Sequence, residues 1–411
     1  MNSRICIFIL LTSLFANCSK EADIPSYRSE EIIDNVFTLE STFGDKNVPD
    51  EYLLANPSER VVISNNGDII VTDEKRFKVF DNDGNPKKII GRPGQGPGEF
   101  MRSPIACVME NGIISVTDLG TGRLSIYNPD YSFIDTKNFK NNALYSNLAE
   151  EKGWGELGFN VIYFYSIDDI LIFTQSSGGG SGKERKYYHL LLHQHGDKIN
   201  TIVESLDDNQ IYIRWVNYYV FEKGRLVSAI LPGRKVAYSE THKDKIFENG
   251  IWYYFIHIYD LDTQERTRIK RPYNPVAFPD SVIHPELKSG YDGNRIIARR
   301  ITPEGESTVN YEEVDKIRTK YLEELGFYPA IQETQGLFSD GNLLFVKTYE
   351  YVKGKGYVVE IFDIETGGYL RSAYFPFDTV IKDGYAYRIL SGSDIFPVVE
   401  KYKIDPAVYG K

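Results

Sequence analysis

Three histidines alternate along one apolar stretch of the chain and could hold a metal ion. His189, His193 and His195 occur in HLLLHQH, and imidazole nitrogens are common zinc ligands. On a regular strand they share one face, but alternate residues lie about 6.6 Å apart, too far to converge on one ion. We therefore predict solvated histidines on the rim of a sheet and no zinc site.

A glycine-rich segment, SSGGGSGKERK at 176–186, has some features of a phosphate-binding loop. That motif needs a glycine where Ser177 stands, and a serine or threonine for magnesium where Glu184 stands. We interpret the segment as a loop between two strands.

The segment DNDGN at 81–85 begins like a calcium-binding loop. It lacks the later acidic ligand that an EF-hand supplies. Because it lies between KRFKVF and KKII, we predict a hairpin turn here and no calcium site.

Other common catalytic groups have no supporting pattern. Cys6, Cys18 and Cys107 form no metal-binding pair or disulfide framework, and no Gly-x-Ser-x-Gly elbow occurs. Cys107 lies in the apolar run PIACVM, so we predict a buried, unreactive thiol.

Composition indicates a large globular protein with an acidic surface. The 411 residues are 42% hydrophobic and carry a net charge of −11. A nucleic-acid-binding protein needs a basic surface, so we predict no nucleic-acid partner.

The first 17 residues have the pattern of a secretory signal peptide. Arg4 precedes an apolar run over 5–15, which is too short to span a bilayer. Cys18 follows in LFANC and resembles a bacterial lipobox cysteine, although Asn17 departs from the usual small residue. We predict a signal peptide at 1–17, lipidation of Cys18 and a polar tether at 18–34. An ordinary secretory signal is the alternative.

Two stretches in the first half of the chain repeat each other. Residues 66–80 and 111–127 both begin with Asn-Gly, and both continue with Val-Thr-Asp, at 71–73 and 116–118. The offset is 45 residues, and each unit contains several short strands bounded by hairpin-forming dipeptides. This period is typical of a β-propeller.

The remaining chain accommodates further units of similar length. GRPGQGPGEF at 91–100 then carries the chain from the outer strand of one blade to the inner strand of the next. We predict an all-β, six-bladed propeller of four-stranded antiparallel blades over 35–411, with seven blades as the alternative. The strand-like residues 35–43 are expected to pair with the last blade and close the ring. Later units are expected near 157–205, 211–271, 327–375 and 376–405.

Residues 272–326 interrupt the repeat and contain a helical pattern. The apolar face comprises Val314, Ile317, Tyr321, Leu322 and Leu325. Asn310 is suited to cap the start, with Glu313 three residues later, and Gly326 to end the helix. We predict a helical insertion that covers an apolar patch of the propeller or lids a ligand site.

The segment 58–127 resembles the NHL-repeat propellers in its Val-Thr-Asp and following Arg-x-x-Val/Ile-Phe/Tyr patterns. Together with Cys18, the whole chain resembles the six-bladed β-propeller lipoproteins of Gram-negative bacteria. The resemblance implies an outer-membrane lipoprotein, periplasmic or surface-exposed, and implies a fold more than a reaction.

A second resemblance concerns the propeller axis. Propellers similar to gluconolactonases bind a metal there through Glu, Asn and Asp near the starts of inner strands, and Asn160, Asn217, Glu333 and Asp378 lie near such starts. This implies an alternative function, a metal-dependent hydrolase with Ca²⁺ as its ion.

Without a catalytic motif, the sequence favours a non-catalytic binding or scaffolding module that needs no cofactor. A propeller presents many loops on a rigid scaffold. We expect a protein or glycan ligand, and attachment to the membrane through the lipid on Cys18.

Overall fold

The structure, a computed structural model, describes most of the chain beyond the first 30 residues. The described residues are 31–411 except 46, 119–120, 140–141, 156, 167, 179–185, 208–224, 285–295, 303–304 and 393–394.

The two repeated stretches form the first two blades, each a four-stranded antiparallel sheet in sequential order. Their first turns contain the repeated Asn-Gly, and Gly67 and Gly112 adopt φ values of 82° and 80°. Such turns favour glycine, because L side chains rarely adopt positive φ. The strands are β2 Pro57–Ile63, β3 Ile69–Asp73, β4 Arg76–Phe80 and β5 Pro86–Ile90, then β6 Pro104–Val108, β7 Ile114–Asp118, β8 Arg123–Tyr127 and β9 Phe133–Asn138.

Blades 3 to 5 have longer strands but the same plan. In blade 4, β15 and β16 lie one after the other along β17, so the sheet is four strands wide. The strands are β10 Leu157–Ser166, β11 Asp169–Gly178, β12 Lys186–His195 and β13 Lys198–Asp207; β14 Leu226–Leu231, β15 Lys235–Glu240, β16 Lys245–Glu248, β17 Ile251–Asp260 and β18 Arg266–Tyr273; and β21 Leu337–Asp340, β22 Leu343–Val352, β23 Gly356–Asp363 and β24 Tyr369–Phe375.

The sixth blade closes the ring with strands from both ends of the described chain. Its order is β1-β27-β26-β25, so β1 forms the outer edge beside β27. The register begins with Phe37 opposite Ile404 and ends with Phe43 opposite Val399. The predicted six blades and the predicted closure are confirmed. The strands are β1 Phe37–Phe43, β25 Val380–Lys382, β26 Tyr385–Gly392 and β27 Ile395–Ile404.

The strand order gives the propeller two distinct faces. The turns between first and second and between third and fourth strands lie at one end of each blade, which we call the turn face. The turns between second and third strands and the inter-blade connections lie at the other end, the connection face. Residues before a first strand therefore lie on the connection face, near the axis.

Apolar clusters between neighbouring blades hold the ring together. One contains Tyr254 and Ile256 of blade 4 together with Leu344 and Phe362 of blade 5, all nearly inaccessible to water. Both faces of these strands are buried, as the apolar sequences of NLLFVKT and YVVEIFDI predict.

The repeated Val-Thr-Asp motif fixes the chain that enters each of the first two blades. The Asp73 carboxylate accepts hydrogen bonds from the backbone N–H of Ala55 and Asn56 and lies 2.6 Å from the Lys78 ammonium. The Asp118 carboxylate accepts the Met101 N–H at 2.9 Å. The repeated aspartate therefore has a structural role, because it binds the backbone of the segment that enters each blade.

The glycine-rich connection GRPGQGPGEF wraps around one aromatic side chain. Phe100 is completely buried, and a Cβ atom at Gly91 would lie 2.2 Å from its ring. The Glu99 carboxylate accepts hydrogen bonds from Arg92 and from the Gly96 N–H within the loop. The segment joins β5 to β6 as predicted and is a rigid connection between blades.

The insertion between β18 and β21 contains the predicted helix, α3, at Tyr311–Leu325. The Asn310 side chain accepts the Glu313 N–H at 2.9 Å, and Gly326 ends the helix in the left-handed conformation. Leu322 packs in a cluster with Phe278 and with Tyr349 of β22, so the helix lies against blade 5. The side chains of Val314 and Ile317 lie outside the description. The insertion also contains α2 Asp280–Ile283, β19 Ile296–Thr302 and β20 Gly305–Asn310.

A further helix, α1 at Ala143–Lys152, connects blades 2 and 3 and was not predicted. Only Tyr145 and Ala149 are buried in it, so its apolar pattern is short. Single 3₁₀ turns, η1 Asp50–Tyr52 and η2 Pro406–Tyr409, complete the elements. Among the described residues, no helix has the length and apolarity needed to cross a bilayer.

Candidate functional site

Several residues singled out by sequence lie beyond what the structure shows. Cys18, Asn217 and residues 179–185 are outside the described residues, and the Asn160 side chain on β10 is likewise not described. Lipidation and the complete set of axial ligands therefore stay predictions.

Glu333 lies on the connection face, immediately before the first strand of blade 5. Its side chain is 7% exposed, and its carboxylate lies 3.8 Å from the Arg225 guanidinium, which precedes the first strand of blade 4. The Thr241 hydroxyl lies 3.5 Å from the other carboxylate oxygen. Glu333 is thus a largely buried anion with a cation beside it.

Asp378 occupies the corresponding place before the first strand of blade 6, but it is 64% exposed. Its carboxylate contacts the ammonium group of Lys347, a buried residue of β22. Burial lowers the pKa of the Lys347 ammonium to about 8. The two described axial candidates therefore each face a basic side chain.

The prediction of solvated histidines is wrong for two of the three. His189 and His193 are buried, and only His195 is exposed. The His193 Nε2 atom lies 2.9 Å from an Asp169 carboxylate oxygen on the neighbouring strand β11. Burial raises the pKa of Asp169, but the hydrogen bonds from His193 and Arg234 outweigh burial and hold that pKa below its ordinary value.

The histidine prediction was wrong because it considered β12 without its neighbouring strand β11. Asp169 and His195 are cross-strand partners in the β11–β12 hairpin. The Asp169 carboxylate on β11 lies beside both His193 and His195 on β12, so the three groups come together. Within the described part of the chain, Asp169, His193 and His195 form the one group of three potential metal ligands, and Glu333 and Asp378 are not in it.

The segment DNDGN forms the predicted turn. Asp81 accepts hydrogen bonds from the backbone N–H of Asp83 and of Asn85, and also from the Asn85 side chain. The carboxylate that begins the calcium-like pattern is therefore used to hold the turn. Cys107 on β6 is buried, as predicted.

A cavity of about 270 Å³ lies where the inner strands of blades 4 and 5 begin and is partly open to solvent. It also contacts blade 3, so three consecutive blades contribute its walls, and we call it the axial cavity. The lining residues are Tyr163, Phe173, Thr174, Gln175, His189, Leu190, Arg225, Leu226, Val227, Ser228, Glu333, Thr334, Gln335, Gly336 and Leu337.

Hydrogen-bond donors and hydrogen-bond acceptors both face this cavity, beside two aromatic rings. Gln175 Nε2 lies 3.3 Å from His189 Nδ1, and the buried Gln335 Oε1 has no hydrogen-bond partner among the described residues. Tyr163 and Phe173 meet edge to face, with ring centroids 5.8 Å apart. The cavity thus offers donors, acceptors and apolar surface to a small ligand.

The backbone beside Gln335 is tightly constrained. Gln335 has φ +53°, and a Cβ atom at Gly336 would lie 1.9 Å from the Gln332 carbonyl oxygen. Only glycine fits there without displacement of the backbone. The constraint fixes the backbone of Gln335, which lines the cavity.

Sequence reasoning identified Glu333 but missed its neighbours in the cavity. Arg225 and Gln335 stand next to first strands, as Glu333 does, so their position in the blade plan was a usable signal. Gln175 and His189 lie in the middle of blade 3, and no spacing in the sequence relates them to residue 333.

Comparisons with known proteins agree with this architecture. The family model DUF5128, described as "6-bladed beta-propeller", matches residues 47–223, less than half of the chain. No curated protein matches the sequence.

Solved structures similar to this chain have low sequence identity to it. A member of the DUF4221 family from Bacteroides vulgatus is 12% identical, with a TM-score of 0.45, over 90% of this chain and 98% of its own. A Bacteroides fragilis protein is 12% identical, with a TM-score of 0.42, over 92% and 98%. Virginiamycin B lyase from Staphylococcus aureus is 10% identical, with a TM-score of 0.35, over 90% and 100%. The six blades and the matching family model define this chain as a six-bladed β-propeller.

Proposed function

We propose that this chain is a non-catalytic binding propeller of the bacterial envelope whose axial cavity holds one end of a glycan. The observation that carries the proposal is the Arg225–Glu333 pair in the cavity wall. The contact, at 3.8 Å, is longer than a hydrogen bond. A ligand hydroxyl placed between them donates to the carboxylate and accepts from the guanidinium.

The other polar groups of the cavity suit the same chemistry. The Gln335 Oε1 atom is buried without a partner among the described residues and needs a donor. Hydroxyl groups are both donors and acceptors, so a sugar satisfies this mixed lining better than an ion of one sign. Tyr163 and Phe173 supply the apolar surface that packs against the carbons of a sugar ring.

The size of the cavity favours a small ligand. A volume of about 270 Å³ lies just below the usual range of ligand pockets, about 300–1,000 Å³. It suits a terminal sugar unit and is too small for a folded partner to enter.

The composition of the wall argues for binding over hydrolysis. Paired-carboxylate glycosidases need an acid and a second carboxylate, whereas Glu333 is the only carboxylate among the described lining residues. The metal-dependent hydrolase alternative needs Asn160, Asn217, Glu333 and Asp378 to converge. Among the described residues, Glu333 and Asp378 are not part of the one group of three potential metal ligands.

Location at the envelope rests on the signal-like residues 1–17 and on Cys18. Several lipid chains on one cysteine hold a protein stably at a membrane, because each buried CH₂ contributes about 0.8 kcal/mol. The tether reaches the propeller at blade 5, where the Ile33 N–H bonds to the Ser372 carbonyl oxygen at 3.0 Å. A propeller held in this way would present its cavity to glycans at the outer membrane.

The test is binding of the purified mature chain to a panel of immobilised glycans. Glu333→Gln removes the buried carboxylate, and a hydrogen bond to a charged group is worth about 1.5–3 kcal/mol. We expect a loss of affinity of about tenfold or more. Glu365→Gln is the control, because Glu365 is an exposed carboxylate paired with Lys235 at 2.9 Å on the turn face.

Equal loss in both variants, or none in either, contradicts binding at the cavity. If no glycan binds and an envelope protein is retained instead, the ligand class is wrong. Turnover of lactones or esters that a chelator abolishes would support the hydrolase alternative in place of binding.

A further inference from the structure

A cluster of potential metal-binding side chains lies on the turn face of blade 3. The axial cavity lies on the opposite, connection face. Asp169 begins β11 and His195 ends β12, so the two residues are cross-strand partners. His193 lies two residues before His195 and therefore shares its face of the sheet. The three side chains meet where the hairpin opens to solvent.

The potential ligand atoms of the three residues lie close to one another. The His193 Nε2 atom is 2.9 Å from Asp169 Oδ1, and the His195 Nδ1 atom is 3.6 Å from Asp169 Oδ2. One ligand atom from each residue lies within 4.8 Å of the other two. Zinc bonds of about 2.0–2.1 Å to nitrogen and oxygen place tetrahedral ligands about 3.3 Å apart. Small side-chain rotations would complete that geometry.

Arg234 holds the carboxylate without occupying both of its oxygens. Its Nη2 atom is 2.5 Å from Asp169 Oδ2, and its Nε atom is 2.7 Å from Asp262 Oδ1. Its guanidinium carbon also lies 4.8 Å from the centre of the Tyr165 ring. Arg234 is thus positioned by three groups and orients Asp169 Oδ1 toward His193, as the hydrogen-bond partners of ligating carboxylates do.

We propose that Asp169, His193 and His195 bind one Zn²⁺ ion, with water in the fourth position. Two imidazoles and one carboxylate suit zinc, whereas calcium and magnesium prefer oxygen ligands. The exposed side of His195 leaves room for the water. Asp169 and Asp262 against Arg234 give the surroundings two negative charges and one positive charge, which favours a cation.

The arrangement also differs from a buried ion pair that serves folding alone. His193 and Asp169 are 3% and 10% exposed, whereas His195 is 73% exposed and lies within 4 Å of the same carboxylate. An exposed histidine adds little to stability. It would add a third ligand to the two buried ones.

The experiment measures Zn²⁺ binding to the mature chain after removal of metal, by competition with a chromogenic zinc chelator. We expect one ion per chain, a rise in melting temperature on binding, and an absorption spectrum of four-coordinate Co²⁺ when cobalt replaces zinc. His195→Ala should weaken binding by at least about tenfold. Because His195 is exposed, this variant should fold.

His284→Ala provides the matched control. His284 is also an exposed histidine near a carboxylate, with its Nε2 atom 3.9 Å from Asp280, and its replacement should leave Zn²⁺ affinity unchanged. Asp169→Asn should abolish binding, and circular dichroism establishes whether that variant is folded. No stoichiometric Zn²⁺ in the wild type, or equal affinities of His195→Ala and His284→Ala, overturns the proposal. The result is independent of glycan binding at the axial cavity.

Discussion

Lys347 on β22 gives a test of the energetics inside blade 5. Its side chain is 4% exposed, and its ammonium group lies 4.5 Å from the centre of the Tyr357 ring. Burial lowers its pKa from 10.5 to about 8. A buried ammonium group costs free energy unless it is well paired. Among the described residues, the charged group that contacts Lys347 is the exposed Asp378.

The direction of the pH effect follows from the two protonation states. Between about pH 8 and pH 10.5 the unfolded chain keeps the proton on Lys347 and the folded chain has released it, so stability rises with pH. At 1.36 kcal/mol per pKa unit, the full difference is about 3 kcal/mol. Of this difference, the wild-type free energy of unfolding should regain about 2 kcal/mol between about pH 7 and pH 9.5.

The perturbation is Lys347→Met, which keeps the length of the side chain and removes the charge. Free energies of unfolding are measured by urea denaturation of both proteins across this pH range. We expect the variant to be the more stable at neutral pH, and its advantage to shrink by about 2 kcal/mol on going to about pH 9.5. The comparison cancels the titration of other groups. Lys353→Met, an exposed position in the turn of the same blade, controls for the loss of one positive charge.

A constant difference between wild type and Lys347→Met across this range would refute the reasoning. It would mean that Asp378 compensates the buried charge fully and that Lys347 stays protonated in the folded protein. An excess stability of Lys347→Met that grows with pH would be opposite in sign to the predicted change and would refute it as well.

Three other substitutions test the account of the fold and the membrane anchor. Cys18→Ser should abolish metabolic labelling with a palmitate analogue and release the protein from the membrane fraction; a labelled variant would contradict the anchor. Phe100→Ala should lower the free energy of unfolding by about 3–5 kcal/mol, because Phe100 is completely buried; a loss below about 1 kcal/mol in urea denaturation would argue against its role in the glycine-rich connection. Asn310→Ala should cost about 1 kcal/mol through the lost cap of α3, and unchanged hydrogen exchange in the first turn of α3 would speak against the cap.

The sequence was most informative where structure depends on short-range chemistry. The Asn-Gly turns and the Val-Thr-Asp motif recur because each blade solves the same local problem, and their period predicted the fold. The caps of α3 could be predicted for the same reason, since Asn310 and Gly326 act on adjacent backbone groups. Helix α1 was missed because only Tyr145 and Ala149 of its apolar face are buried.

Sites that depend on contacts between strands or blades were predicted less well. The burial of His193 depends on Asp169, which reaches it only after β11 and β12 pair in one particular register. The axial cavity joins Tyr163 to Gln335 through three blades, and nothing in either segment alone indicates the other. Glu333 was identified because its place before a first strand follows from the repeat.

The most direct test of the binding function is a crystal structure of the mature chain with a bound sugar. Crystals are soaked with the monosaccharides that make up the glycans retained by the protein. The account predicts electron density for a sugar ring in the axial cavity, with hydroxyl groups bonded to Arg225 and Glu333. A sugar bound elsewhere on the propeller, with the axial cavity holding only water, would contradict it.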